Sequence, residues 1–169
     1  ARRQADAGDP SLSETLDEAN AELLLAIDEL RTLAHGIHPA ILTDAGLAPA
    51  VRALADRCSV PVEVRELPDR RIAAPIEAAA YFVVAESLAN VVKHADAAHA
   101  WLGVRTADDA LTVEIGDDGS GGADIARGSG LRGLDDRVAA AGGTLTVDSA
   151  IGAGTIVTAA FPLATEEPS

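Results

Sequence analysis

Glu86, Asn90, Lys93 and His94 lie close together in a stretch that is otherwise almost entirely apolar. At about 100° per residue of an α-helix, the four share one stripe roughly 100° wide. Tyr81, Val84, Leu88 and Val91 take the opposite side and are expected to face a core. A carboxylate, an amide and two cations on a mostly apolar helix are costly to bury unless they are solvated or bind something. The oxygens of Glu86 and Asn90 suit Mg²⁺, which takes few protein ligands and completes its shell with phosphate and water. The cations suit phosphate. An i,i+4 ladder of charges on a solvated helix face has the same spacing.

A second group is Asp117-Asp118-Gly119-Ser120-Gly121, directly after an expected strand. A carboxylate held at a strand end can accept a hydrogen bond from an exocyclic amine such as that of adenine, and the glycines let backbone pass close to a flat ring. Asp-Gly is also a common turn signal. A third group, Gly128-Ser129-Gly130-Leu131-Arg132-Gly133, leads into a helix. Backbone N–H groups at such an end favour phosphate. The string matches the dinucleotide-binding pattern G-x-G-x-x-G, and Asp148 lies 20 residues after Gly128. That pattern should follow a strand directly, whereas the loop 117–127 intervenes. A P-loop is excluded, because it needs Gly-Lys-Ser/Thr and the only lysine, Lys93, follows Val92. The fourth group, Gly152-Ala153-Gly154-Thr155, reads as a hairpin turn as well as a binding loop.

The elements that must position these groups follow from periodicity. Ser11 and Glu14 form a capping box ahead of a helix expected to run to about Gly36. Its Leu16, Leu23, Leu30 and Ile37 repeat every seven residues, as do Asn20, Ile27 and Ala34. This is the seam of a coiled coil or four-helix bundle, although one amphipathic helix lying on its own domain would also use it. A connector is expected over 39–46, then a helix over 47–58 and a strand starting at Val60. The informative helix covers 75–95, with strands over 98–105 and 111–116 after it. A loop over 119–129, rich in glycine and expected to be mobile without a ligand, precedes a helix over 130–141. Two strands, 144–149 and 155–161, close the chain before a polar tail. His35 and His38 read as cations at a helix C-terminus, and Cys58 as a small apolar group at a helix end.

With 27 acidic and 13 basic residues the formal charge is −14, which disfavours non-specific binding to nucleic acid or anionic membrane. The single cysteine allows no intrachain disulfide and fits a reducing compartment. No stretch is read as approaching the roughly 20 apolar residues of a membrane span. A cytoplasmic location is expected, with any membrane anchor of a parent protein outside this window.

Taken in order, the four groups resemble the Bergerat-type (GHKL) ATPases, which include histidine kinases, gyrase and the Hsp90 chaperones. Glu86 to Ala95 is similar to the N box, Asp117 to Gly121 to the G1 box, Gly128 to Leu131 to the G2 box and Gly152 to Thr155 to the last glycine box. The resemblance covers about 60–163 and implies a two-layer α+β sandwich, a mixed and mostly antiparallel sheet covered by helices on one face. It implies ATP and Mg²⁺ as ligands. Asn90 and Glu86 would hold the metal, and Glu86 would also act as base or orienting carboxylate. Lys93 and His94 would approach the phosphates. Asp117 would contact adenine, with Gly119, Gly121, Gly128, Gly130, Leu131 and Thr155 completing the nucleotide site.

Lys93-His94-Ala95, the run from Gly130 to Arg137 and the stretch from Leu30 to Leu47 are similar to the sensor histidine kinases that serve helix-turn-helix response regulators. That subclass implies three units: 1–46, the second helix of a dimerisation bundle with its connector; 47–164, the ATP-binding catalytic domain; and 165–169, a tail. The implied partners are a phosphoacceptor helix, a response regulator and a second copy of the parent chain, with no nucleic acid. The subclass carries its acceptor histidine directly before Asp or Glu. The four histidines here precede Gly36, Pro39, Ala95 and Ala100. The acceptor helix is therefore expected before residue 1, as the absence of any Met also suggests, and this chain alone is not expected to phosphorylate itself. Other Bergerat ATPases, anti-sigma serine kinases and nucleotide-binding dimerisation modules without kinase activity share part of these features. The heptad helix with its connector argues against the first two, and intact Glu86, Asn90 and Asp117 against the third.

Overall fold

The structure is a computed structural model and describes residues 40–107, 109–125 and 129–163. The heptad helix expected over 11–36, His35, His38 and the polar tail lie outside these residues. Within them the elements run α1 (Ala40–Ala45), α2 (Leu47–Arg57), β1 (Val62–Glu66), α3 (Ala74–Asn90) continued by a π turn (Val91–Ala95), β2 (Ala100–Ala107), β3 (Ala110–Asp117), α4 (Ser129–Ala140), β4 (Thr144–Asp148) and β5 (Thr155–Pro162).

Strand alternation builds one five-stranded sheet in the order β1-β2-β3-β5-β4. β1 pairs with β2 in parallel, and every other pairing is antiparallel. Leu102, Val104, Leu111, Val113, Ile115, Val157, Ala159 and Phe161 occupy the alternate positions of three adjacent strands, and all are buried. They form one apolar face. The helices cover it side by side, α2 near β1, α3 over β3 and β5, and α4 against β4. The α+β sandwich expected from the resemblance is the architecture found.

Helix α3 is the central beam. Pro75 sits at its first positions, where the missing N–H costs nothing. Small residues Ala78, Ala79 and Ala80 let it approach its neighbours closely, and Ala80, Val83 and Val84 have no exposed surface. Ala74–Ala95 is in fact long and apolar enough to cross a membrane, with 22 residues and a mean hydropathy of 1.3. This corrects the reading that no stretch approaches such a length. Glu77, Glu86, Ser87 and Asn90 interrupt the segment and masked how apolar it is on average. The run has a different use here, because most of it is buried between sheet and flanking helices.

The connector expected over 39–46 contains α1, whose Leu42 is buried in the same core as α2 and α3. Gly46 links the two helices at φ 91°. A Cβ there would sit 2.8 Å from Cδ of Arg71. Arg71 is held by Glu77, a carboxylate only 1% exposed in the first turn of α3. Arg71 donates from Nε and Nη2 to Glu77 at 3.1 and 3.0 Å, and Nη1 reaches the Thr43 carbonyl at 3.4 Å. The Ile72 N–H donates to Glu77 at 3.0 Å. Nothing in the periodic pattern marked this cluster, since its members are joined by a loop rather than by one helix face. Cys58 caps α2 and is half-buried against the core, close to its expected place.

Candidate functional site

The Asp117-Asp118 pair divides its work by strand alternation. Asp117 continues the inward series of Val113 and Ile115 and is 5% exposed. Its Oδ1 accepts the Gly119 N–H at 2.9 Å. Among the described residues no hydrogen bond is made to Oδ2. Asp118 points the other way and is exposed. Its Oδ1 accepts the N–H groups of Ala98 and His99 at 2.8 and 2.9 Å, and its Oδ2 lies 3.3 Å from Nδ1 of His99. The His99 N–H is the main reason that the Asp118 carboxyl titrates below the ordinary range; the His99 ring and the Ala98 N–H add to it, against a smaller cost of desolvation. Asp118 therefore anchors the start of β2.

Thr155 is the strand partner of Asp117, at the same end of the sheet and on the same face. Its Oγ1 lies 2.8 Å from Oγ of Ser149, which also accepts the Ala123 N–H at 2.9 Å. Ser149 had no sequence signal, because it is a lone serine at a strand end. The loop after Asp117 is stitched to this hairpin. Gly122 N–H donates to the Ser149 carbonyl, and Gly152 N–H to that of Ser120. A Cβ on Gly154 would overlap the Asp117 carbonyl oxygen, and one on Gly121 that of Ala150. The expectation of a loop loose throughout 119–129 is thus corrected for 119–123, which hydrogen bonds tie to β3 and the β4–β5 turn.

The same loop meets the end of α3. Ser120 N–H donates to the Ala95 carbonyl at 2.7 Å, and a Cβ on Gly119 would overlap that oxygen. Backbone contact alone brings the first and second sequence groups together. Glu86 and Asn90 are half-buried on α3. Phe82, one turn before Glu86, lies under the guanidinium of Arg137 at 4.4 Å, so this flank of α3 faces α4. Lys93 and His94 are exposed on the π turn. A π turn holds more residues than an α turn, so the stripe drawn at 100° per residue ends at Asn90 and does not extend to these two cations. Asp96 closes the turn in the left-handed region, at φ 51°.

Gly128 lies outside the described residues. Gly130 is exposed and Leu131 half-buried at the start of α4. A Cβ on Gly130 or Gly133 would meet nothing within 4 Å. Among the described residues no contact accounts for glycine there. The topology does not match the compact βαβ unit of the dinucleotide reading, since α4 follows a loop rather than a strand and the parallel strands β3 and β4 on either side of it are separated by the antiparallel β5.

The donor set among the described residues is therefore a carboxylate and an amide on α3, and a buried carboxylate and a hydroxyl at the ends of β3 and β5. No cluster of three His, Cys, Asp or Glu side chains able to hold a metal occurs among the described residues.

A family model described as histidine kinase-, DNA gyrase B- and HSP90-like ATPase matches residues 76–165. The chain is 32% identical over 164 residues to an uncharacterized sensor-like histidine kinase of Chloroflexus aurantiacus, covering 88% of this chain and 28% of that protein. It is 36% identical over 159 residues to the sensor histidine kinase NarS of Mycobacterium tuberculosis, covering 89% of this chain and 37% of that one. Among solved structures, the blue-light activated histidine kinase of Erythrobacter litoralis EL346 is similar in fold, with a TM-score of 0.61 at 24% identity over 72% of this chain and 42% of that one. The chain thus spans about a third of the length of these curated relatives. The match runs from the start of α3 through β5 and takes in every described residue of the site, and the chain belongs to the histidine kinase-, DNA gyrase B- and HSP90-like ATPase family.

Proposed function

We propose that this chain binds ATP with Mg²⁺ in the space between α3, the ends of β3 and β5, and the start of α4, and that it serves phosphoryl transfer to a histidine. The observation that carries the reading is Asp117. A buried carboxylate with one oxygen fixed by Gly119 and the other without a hydrogen bond among the described residues is poised to accept the adenine amine. Thr155 stands beside it in register. Asn90 and Glu86 hold the metal, which supplies charge neutralisation along the phosphates. Lys93 and His94 approach the phosphates from the π turn, and Gly119, Gly121, Gly128, Gly130 and Leu131 provide backbone and space around the nucleotide.

In the transfer, a ring nitrogen of the acceptor histidine forms a bond to the γ-phosphorus and the bond to the β,γ-bridging oxygen breaks, leaving ADP. Glu86 orients the incoming imidazole and takes its proton. Most of the rate in such chemistry comes from position and charge stabilisation. The acceptor belongs to a helix of a dimerisation bundle in the longer protein, the heptad segment 11–36 being the second helix of that bundle. The unit 47–164 is the catalytic domain. A response regulator is the downstream acceptor, the parent works as a homodimer, and the catalytic part lies in the cytoplasm. Support comes from the sensor histidine kinases that the chain matches over nearly its whole length.

Calorimetric titration of ATP, GTP and NAD into the wild type and Asp117→Asn tests the reading. ATP should bind the wild type and exceed GTP and NAD. Asp117→Asn should weaken ATP by about 1–3 kcal/mol, the scale of a hydrogen bond to a charged group, with little change in Tm. Equal binding of ATP and GTP, or an unaltered ATP affinity in the variant, would remove Asp117 from adenine recognition.

A further inference from the structure

Ser87 is 2% exposed, and its hydroxyl has no hydrogen-bond partner among the described residues. It is the sole buried side-chain polar atom among them in that state. A serine inside a helix ordinarily relieves itself by bonding a carbonyl one turn back or by reaching solvent, and this one does neither. Leaving a hydroxyl dry and unpaired is unfavourable. Glu77 and Asp117, the other buried polar groups, both have partners.

Its place on α3 is specific. At about 100° per residue, Ser87 lies about 60° from Asn90 on one side and about 60° from Val84 on the other. It lies within the fully buried stripe that meets the sheet, with Val83 about 40° away toward Asn90 and Ala80 about 20° away toward Val84. The part of the sheet beneath α3 is β3 and β5. Asp117 and Thr155 end those strands as neighbours, and both belong to the helix-covered face. Ser87 on the helix side and Asp117 and Thr155 on the sheet side thus belong to the same layer between α3 and the strands β3 and β5.

We propose that the Ser87 hydroxyl is a third polar contact to the nucleotide base, pairing with a ring nitrogen or with the exocyclic amine that Asp117 accepts, and so sharpens selection of adenine. The inference rests on the ATP reading above. A base entering that layer would satisfy the one buried hydroxyl that the described residues leave unpaired. The phosphates, held from the far end of α3 and the start of α4, would be indifferent to it.

The experiment compares wild type with Ser87→Ala in three measurements: ADP affinity by calorimetry with Mg²⁺, affinity for inorganic tripolyphosphate with Mg²⁺, and Tm without ligand. Alanine favours helix and removes an unpaired group, so Tm without ligand should hold or rise. ADP should weaken roughly three- to ten-fold, the range of one neutral hydrogen bond. Tripolyphosphate, which has no base, should bind both proteins alike. Unchanged ADP affinity in Ser87→Ala would overturn the inference while leaving the ATP reading intact. So would equal weakening of ADP and tripolyphosphate, or a fall of several degrees in Tm with ADP affinity retained, because the hydroxyl would then serve the helix or the core. Failure of the wild type to bind ADP at all would overturn both.

Discussion

Adjacent aspartates with one chemical identity perform unrelated tasks because a strand turns successive side chains to opposite faces. Asp117 enters the covered face beside Thr155, whereas Asp118 faces out and fastens Ala98 and His99 to the end of β3. The sequence marks Asp117 through its place after an apolar alternation, but it assigns no task to Asp118. That task depends on backbone N–H groups almost twenty residues earlier, which no local pattern relates to it. The Asp118 carboxyl titrates below its ordinary value of about 3.9. An unfolded chain therefore takes up this proton at higher pH than the folded one does. The stabilisation from Asp118 is complete above the ordinary carboxylate range and is lost as pH falls through the lower folded value. Asp118→Asn should have a lower Tm than the wild type at pH 7. The gap should narrow as pH drops below about 4, where the native carboxyl too becomes protonated. A gap that stays constant from pH 7 to pH 3 in thermal scans would remove charge from the account and leave only the amide contacts.

Most elements were legible because their periods are clean: the inward positions of β2, β3 and β5 alternate, and α3 with its π turn carries Tyr81, Val84, Leu88 and Val91 on the side away from its polar stripe, all of them buried. Three features escaped for physical reasons. The π turn at Val91–Ala95 has no composition of its own and follows from how the end of α3 meets the loop at Gly119 and Ser120. The hydrogen bonds of 119–123 are made by backbone groups, which no residue type announces. The α1–α2 corner depends on Arg71 and Glu77, joined across a loop. That corner yields the prediction of this scale. Glu77 accepts from Arg71 and from the Ile72 N–H at the point where α3 begins, and it has almost no exposure. Glu77→Ala removes the acceptor of a buried N–H and leaves a cavity. It should cost roughly 2–4 kcal/mol in denaturant unfolding, the range of a lost charged hydrogen bond with incomplete collapse around it. Nucleotide affinity per folded molecule should hold, because the cluster sits at the opposite end of α3 from the π turn. A loss below about 0.5 kcal/mol, typical of surface substitutions, would show that Arg71 finds other partners and that the corner does not depend on the pair.

At the scale of the whole molecule the site and its surroundings are opposed. A chain of formal charge −14 repels a polyphosphate, and Lys93 is its only lysine. On the proposed reading, backbone N–H groups at the start of α4 and the Lys93 and His94 side chains of the π turn would supply local attraction, while the rest of the surface supplies a diffuse negative field. A divalent ion held by Asn90, Glu86 and the phosphates would reverse that balance at the point of contact, where charges act over a few ångströms and solvent screens them least. ATP without Mg²⁺ would meet the field unshielded. Calorimetry with excess Mg²⁺ and again with EDTA should therefore differ by at least about ten-fold in ATP affinity, or roughly 1.4 kcal/mol. Salt supplies an independent check on the cause. The Debye length falls from about 30 Å at 0.01 M to about 10 Å at 0.1 M, so added NaCl should weaken the diffuse repulsion far more than the short contacts. In EDTA, raising the salt over this interval should recover part of the lost affinity, whereas with Mg²⁺ it should leave affinity steady or lower it. Equal ATP affinity with Mg²⁺ and with EDTA would exclude the role of Asn90 and Glu86 as metal ligands. A deficit in EDTA that salt fails to relieve would place the effect in the site itself rather than in the field of the molecule around it.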